Sequence, residues 1–449
     1  MQPKESIGLF RICTPKRRRE GAFGTLFPGG TLIASNGRRG PTLNERIPWD
    51  EGGSLGDANL KTALGYAKFK GVPRVLVLDA GYLVTADILE GAADLGWSAL
   101  SIPTKGKGAA KGAFVGDLLK AVLLHRPDFI ITVNHLGFDE GGALAELLAE
   151  YRIFTASWFV DHPMPVLGPA GNNSSDCVQV FCFERTALAW LSARGYENPK
   201  YLPTGANRRR FHPDRIRDDL KQQLACDLSF AGNSWWTKAR IEPDKKLRKA
   251  AERAAKKIPS NRKSLQNGFE SGLRKAVPGT RREQYAAAQV MLAEASMQRR
   301  RAFVRALQPV GIRIFGDPNW ETMAPGVDLK PFLDNETSLP ALFAGCSVNA
   351  NVTAEQMPTA LNQRVWDVPS VGGFLLTDDQ ADVFDFFEDG TDISVYRSLE
   401  EAADKVRYYL AHPKERLAIA RRGLEKVSKH HTVTHRLRHM AEVMQQRYG

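Results

Sequence analysis

Residues Ala360 to Asp378, ALNQRVWDVPSVGGFLLTD, decide how the chain is read. Leu361 to Asp367 has helical composition, Gly372 and Gly373 can stop a helix, and Phe374 to Thr377 is a short apolar strand ending at Asp378. Helix, glycine turn and buried strand together make one unit of an open α/β sheet. In such a domain a polar helix start facing the carboxyl ends of the strands is where a nucleoside diphosphate is held, because unpaired helix N–H groups and an arginine share its charge. Arg364 is suited to bond phosphate oxygens, and Asp367 to accept the two hydroxyls of a ribose. An ordinary helix-to-strand connection with a surface arginine has the same spacing.

The strand and helix pattern continues on both sides. Upstream, Leu228 to Ala231 is an apolar strand followed by Gly232, Asn233 and Ser234, small residues that let a phosphate approach the backbone, with Lys238 and Arg240 available to neutralise it. Trp235 and Trp236 suit either stacking or a core. Residues 243 to 305 read as cation-rich helices, Ile312 to Phe315 as a strand leading into Gly316 to Trp320, and Ser347 to Ala350 as a strand with Asn349 and Asn351 near its end. Downstream, Ser398 and Glu401 form a capping box for a helix from Leu399 to Ala411. His431, His435 and His439 share one face if the last helix is continuous, but no further ligand of suitable spacing accompanies them, so no metal is assigned.

The N-terminal half repeats the theme. Val75 to Leu78 ends at Asp79, then come a helix from Ala86 to Leu95, a helix near Gly116 to Leu124 feeding a strand Phe129 to Val133, and a helix Gly142 to Glu150 feeding Thr155 to Val160. Val178 to Phe183 is a further strand and Glu184 to Gly195 a helix. Alternation of this kind means parallel sheets with right-handed crossovers. Asn134, His135 and Asp139 follow one strand, and Asp161 with His162 the next, at the ends where ligands bind. Each could equally cap the next helix.

Several motifs in order resemble the CgeB-like group of GT-B glycosyltransferases. They are Gly316-Asp317-Pro318-Asn319-Trp320, Leu339-Pro340-Ala341-Leu342-Phe343, Asn349-Ala350-Asn351, the Ala360 to Asp378 stretch and His431-Thr432-Val433-Thr434-His435-Arg436. In the first half Asn134 to Glu140 and Ser157 to Asp161 belong to the same likeness, which covers roughly residues 70 to 440. The resemblance implies two doubly wound Rossmann-like parallel-sheet domains facing a cleft, with a nucleoside-diphosphate sugar in the second half and a protein or glycan acceptor in the first. It implies that an acid five positions before Gly372, here Asp367, binds the donor ribose, and that the Gly232 loop and Gly316 to Trp320 contact the donor. A second acid of related families falls at Thr359, so the stereochemical outcome is not readable. For an inverting transfer Asp161, Asp139 and His135 are the candidate bases. Arg364, Lys238 and Arg240 are the candidates for charge on the leaving diphosphate, and no cofactor or metal is called for.

Length and composition agree with this. At 449 residues the chain exceeds one core, and its charged and hydrophobic fractions are those of a globular protein. We divide it into a basic extension over 1–65, an acceptor-side domain over 66–205, a hinge over 206–226, a nucleotide-sugar domain over 227–428, and a C-terminal helix over 429–449 that crosses back to the first domain. Five scattered cysteines fit a reducing compartment without disulfides. No apolar run is long enough to span a bilayer and MQPKESIGLF does not read as a signal peptide, so a cytoplasmic protein with at most peripheral membrane contact is expected. The net charge of +12 suits a nucleotide-sugar, an acidic acceptor or an anionic surface. No nucleic-acid-binding motif accompanies it, so nucleic acid is not expected. A catalytically silent GT-B protein that binds a nucleotide or glycan, and a basic nucleic-acid-binding protein, are the other two readings.

Overall fold

A computed structural model of the chain describes residues 57–104, 111–168, 173–236 and 280–449, with Lys249 and Arg253 besides. Most of the basic extension, most of the cationic stretch 243–305 before Thr280, and Lys238 and Arg240 lie outside the described residues.

Two six-stranded parallel sheets, each flanked by helices, organise the described residues. The first holds β1 (Arg74–Asp79), β2 (Ser98–Pro103), β3 (Phe129–Val133), β4 (Thr155–Phe159), β5 (Val178–Cys182) and β6 (Lys200–Tyr201), in the order β2-β1-β3-β4-β5-β6. FIITV, TASWF and VQVFC are buried at every position, as strands covered on both faces must be. The sequence reading passed over β2, because SALSIP is only partly buried at this edge and lacks a continuous apolar run.

The second sheet holds β7 (Leu228–Ala231), β8 (Arg313–Phe315), β9 (Asp328–Lys330), β10 (Val348–Ala350), β11 (Leu375–Asp378) and β12 (Ser394–Tyr396). Its order, β12-β11-β10-β7-β8-β9, is the Rossmann order read from the far edge. The strand order reverses between β7 and β10, so a crevice opens beyond the carboxyl ends of those two strands. The arrangement is a two-domain α/β fold of the GT-B kind.

The deciding stretch forms a helix Arg364–Ser370 and then β11. The helix starts later than composition suggests because the preceding residues are held by other partners: the Ala360 N–H bonds Glu184 and the Asn362 amide bonds Asn351. It ends where Gly372 adopts φ +76, with Gly372 N–H donating to the Pro369 carbonyl and Gly373 N–H to the Val368 carbonyl.

The chain passes between the domains twice, side by side. Ala206 and Thr432 form a parallel bridge, and a Cβ on Gly205 would lie 2.9 Å from the Thr432 carbonyl carbon. Beyond it the helix Val433–Tyr448 buries Val433, Leu437, Met440 and Met444 in the core of the first domain. Arg436 donates to the Thr204 carbonyl at 3.0 Å and Arg447 pairs with Glu197 at 2.8 Å. No helix among the described residues is long and apolar enough to cross a membrane.

Candidate functional site

The crevice of the second domain is built from loops that tie themselves together. After β7 the chain runs Gly232-Asn233-Ser234, and after β8 it runs Gly316-Asp317. Asp317 accepts from the Ser234 N–H and hydroxyl, both at 2.7 Å, and from Asn319. Gly316 is required because a Cβ there would lie 2.5 Å from the Gly232 carbonyl oxygen. Trp320 is fully buried, and its indole N–H donates to that same carbonyl at 3.0 Å. Gly316 and Trp320 therefore lock two loops in place, and the indole is not offered to a donor base.

Into this frame project two arginines. Arg300, on the helix Arg281–Leu307, donates from Nη1 to the Asn233 carbonyl at 2.5 Å and to its side-chain oxygen at 3.0 Å. Arg364, at the start of its own helix, lies over the Phe343 ring at 5.5 Å and reaches Asp367 at 3.4 Å. Nε of each arginine is buried and has no hydrogen-bond partner among the described residues. Burial pulls Arg300 down to about 10, and the charge of Arg364 adds to that, against the weaker pull of Asp317 and Asp378. Burial also lowers Arg364, with Asp367 opposing. Two cations held near each other, each with an unanswered N–H, make a site short of negative charge.

Asp367, the ion-pair partner of Arg364, is 2 % exposed. Its Oδ1 accepts from Gln363 at 2.9 Å, and among the described residues Oδ2 accepts a hydrogen bond only from Arg364, at 3.4 Å. Burial raises its pKa to about 6, although Arg364, Gln363 and Arg210 all act to lower it. Asn351 sits at the end of β10, bonded to Thr377 at 2.9 Å and to Asn362 at 2.9 Å, whose own side-chain oxygen is buried without a partner.

The first domain brings Asp161 to the crevice. Asn134, in a left-handed conformation with φ +52 at the end of β3, donates to Asp161 Oδ2 at 2.9 Å and accepts the Val160 and Asp161 N–H groups. Gln356, from the loop after β10 of the other domain, donates to Asp161 Oδ1 at 3.2 Å. The carboxylate is thus oriented from both domains. Beside it Glu184, wholly buried, accepts from the Thr359 N–H at 3.1 Å, the Thr359 hydroxyl at 2.7 Å and the Ala360 N–H at 3.0 Å. Tyr201 to Asp382 at 2.8 Å and Arg185 to Asp385 at 2.7 Å continue this seam.

Other expected site residues have structural employment. His135 is 5 % exposed, its Nδ1 at 2.5 Å from the Ser157 hydroxyl and its Nε2 at 3.1 Å from the Tyr196 hydroxyl, between the rings of Phe138 and Phe159. Burial drives its pKa to about 3, and with both nitrogens engaged it does not serve as a base. Asp139 accepts from the Gly141, Ala143 and Leu144 N–H groups and caps the helix Ala143–Glu150. Burial tends to raise it, but those N–H groups prevail and its pKa is lowered. Asn349 is 2 % exposed and spends its side chain on Ser229, Phe343 and Phe374. Gly372 and Gly373 precede β11 and so lie at the end of the sheet opposite the crevice. A Cβ on Gly373 would lie 2.4 Å from the Phe343 carbonyl oxygen, which makes that glycine a packing requirement. Lys238 and Arg240 fall outside the described residues.

The sequence reading missed Arg300, Gln356 and Glu184. A signal for the first exists: Ala293, Met297, Val304 and Leu307 are buried along one helix stripe, and Arg300 interrupts it at the same spacing. Gln356 and Glu184 gave no local signal, because their partners are distant in sequence.

Residues 299–442 match the model of a family described as glycosyl transferase-like. No curated protein matches the chain. Among solved structures, HepE of Anabaena in complex with UDP-glucose is similar over 83 % of this chain and 100 % of its own, at 12 % identity and a TM-score of 0.47. Sucrose-phosphate synthase of Thermosynechococcus elongatus is similar over 84 % and 98 %, at 11 % identity and 0.47, and the T4 phage BGT complex with UDP-glucose over 83 % and 98 %, at 11 % and 0.43. At these scores the overlap is partial, and the fold assignment rests on the sheets themselves.

Proposed function

We propose that the protein is a glycosyltransferase that binds a nucleoside-diphosphate sugar in the second-domain crevice and transfers the sugar to a protein or glycan acceptor held against the first domain. The observation that carries this is the Arg300 and Arg364 pair, whose buried Nε groups lack partners beside Asn233. A diphosphate supplies the missing acceptors and cancels the mutual repulsion. As the sugar–phosphate bond breaks, its negative charge grows on the leaving oxygen, where two preplaced cations lower the barrier without a metal. Oδ2 of Asp367, which makes a long 3.4 Å contact with Arg364, accepts a ribose hydroxyl.

Asp161 is the residue we assign as base. It stands at the end of β4 with its oxygens oriented by Asn134 and Gln356, and it takes the proton of the acceptor hydroxyl as that oxygen attacks the sugar carbon. The match of residues 299–442 to a glycosyl transferase-like family supports the reaction class, the order of motifs favours the CgeB-like group, and the scattered cysteines favour a cytoplasmic setting.

The test is thermal denaturation of the purified chain with UDP, GDP, CDP and dTDP and their sugars, since a ligand of the native state raises the melting temperature. One nucleotide is expected to stabilise the wild type and to lose most of that effect with Arg300→Met or Arg364→Met. Full stabilisation of both variants, or none of the wild type by any nucleotide, refutes the site. Stabilisation without hydrolysis or transfer across a panel of acceptors leaves a nucleotide-binding protein.

A further inference from the structure

Cys226 and Cys346 stand at the end of the second sheet away from the crevice, each just ahead of one of the two central strands, β7 and β10. Their Sγ atoms are 3.2 Å apart across 120 residues of chain. The parallel register Val348 to Leu228 continues back through the Ser347 N–H, which donates to the Cys226 carbonyl at 2.8 Å, so the cysteines face each other on adjoining extended segments. Such neighbours lie about 4.8 Å apart, inside the span a disulfide tolerates. Cys346 is 6 % exposed, while Cys226 is only partly buried and open to a small reagent.

We propose that Cys226 and Cys346 form a dithiol modification site that closes to a disulfide on reaction with a low-molecular-weight disulfide. The Cys226 thiolate attacks one sulfur of the reagent, forming a mixed disulfide and releasing one small thiolate. The Cys346 sulfur, after giving its proton to solvent, then attacks Cys226 Sγ and expels the second thiolate. Two protein thiols and one small disulfide become one protein disulfide and two small thiols. The hydrogen bond with Cys346 and the nearby Arg313 hold the Cys226 thiol below its ordinary pKa, whereas burial pushes Cys346 well above its own. Cys226 is thus the attacking group and Cys346 the resolving one.

The bond would join the exit of the helix Asp218–Leu224, which ends the link between domains, to the end of the helix Ser338–Gly345. Those helices already touch closely: a Cβ on Gly345 would lie 2.6 Å from the Lys221 carbonyl oxygen. Closing so long a loop restricts the unfolded chain, so oxidation stabilises the second domain. The inference is independent of the sugar-transfer reading.

The experiment uses the full chain, reduced, freed of reductant and then exposed to oxidised glutathione. Intact mass is expected to fall by two hydrogen atoms, with the Cys226 and Cys346 peptides linked and the melting temperature raised by several degrees until dithiothreitol reverses it. Cys346→Ser is expected to keep a stable glutathione adduct on Cys226, and Cys226→Ser to prevent the link. The wild-type peptide map decides the matter whether or not a variant folds: two unlinked thiols, separate glutathione adducts at both positions, or pairing with Cys13, Cys177 or Cys182 overturns the proposal.

Discussion

Replacing Asp367 with asparagine should make the protein more stable at neutral pH and worse at binding its nucleotide. The carboxyl is 2 % exposed, and burial raises its pKa from 3.8 to about 6 despite Arg364, Gln363 and Arg210. At roughly 1.4 kcal/mol per pKa unit, the ionised form costs on the order of 3 kcal/mol in the folded state. Because the folded pKa lies above the unfolded one, the folded chain holds the extra proton between about pH 4 and 6. Stability from this group therefore declines as pH rises through that window, and the penalty is complete above it. Asparagine keeps the side-chain shape and titrates nowhere. Urea midpoints should nearly coincide for wild type and Asp367→Asn at about pH 4 and separate through pH 6, reaching a gap of about 3 kcal/mol in favour of the variant. In the same samples the thermal shift given by the stabilising nucleotide should shrink, since a ribose hydroxyl loses its charged acceptor. A variant that is less stable than wild type at pH 7.5, by an amount independent of pH, would show that Asp367 serves as an ordinary ion-pair partner of Arg364 and would sink the argument.

Glu184→Gln should weaken the seam between domains. The amide NH2 cannot accept from Thr359 N–H or Ala360 N–H, and one or two buried donors left unpaired cost about 2–4 kcal/mol together; a lowered urea midpoint with a larger radius of gyration by X-ray scattering is the expected result, and an unchanged midpoint contradicts it. Asp161→Asn should reduce the transfer rate by about 10²–10⁴-fold while the nucleotide thermal shift stays at the wild-type value. Loss of both together would mean that Asp161 shapes the crevice and takes no proton.

Most strands were legible because a parallel sheet covered on both faces demands uninterrupted apolar runs, and FIITV and VQVFC supply them. The edge strands Ser98–Pro103, Asp328–Lys330 and Ser394–Tyr396 were missed, the first two because an exposed edge needs no such run and the third because it is only three residues long. Charged and polar site residues were read by position relative to strands, and that rule separates poorly between a ligand and a cap. Asp139 and Asp161 both follow a strand in the first sheet, yet one turns back to its own chain's N–H groups and the other meets Gln356 from the second domain. Their distinction lies in partners far away in sequence. The arginine that best marks the site, Arg300, sat inside a segment read only as cation-rich helices, although its place in the Ala293, Met297, Val304, Leu307 stripe marked it as turned inward.

Thr359 shows how the missing acid is handled. The resemblance implies an acid at that position, and here a carboxylate is present in space, because Glu184 of the first domain accepts from the Thr359 hydroxyl and from the Thr359 and Ala360 N–H groups. It is not equivalent, since an acid belonging to the second domain would be free to meet a ligand, whereas Glu184 is fully buried and saturated by protein donors, Thr186 included. The loop from Asn351 to Asn362 is consequently fastened on every side: to Asp378 through Thr353, to Ser296 through Glu355 N–H, to Asp161 through Gln356 and to Glu184 through Thr359. Two of those fastenings come from the first domain, so separating the domains would free Gln356 and Thr359 while Thr353 and Glu355 keep the loop on the second domain. Under the proposed sugar-transfer reading, the contact between the domains and the orientation of the proposed base Asp161 are linked through Gln356. In an open form Asp161 would keep its hydrogen bond from Asn134 and lack the one from Gln356.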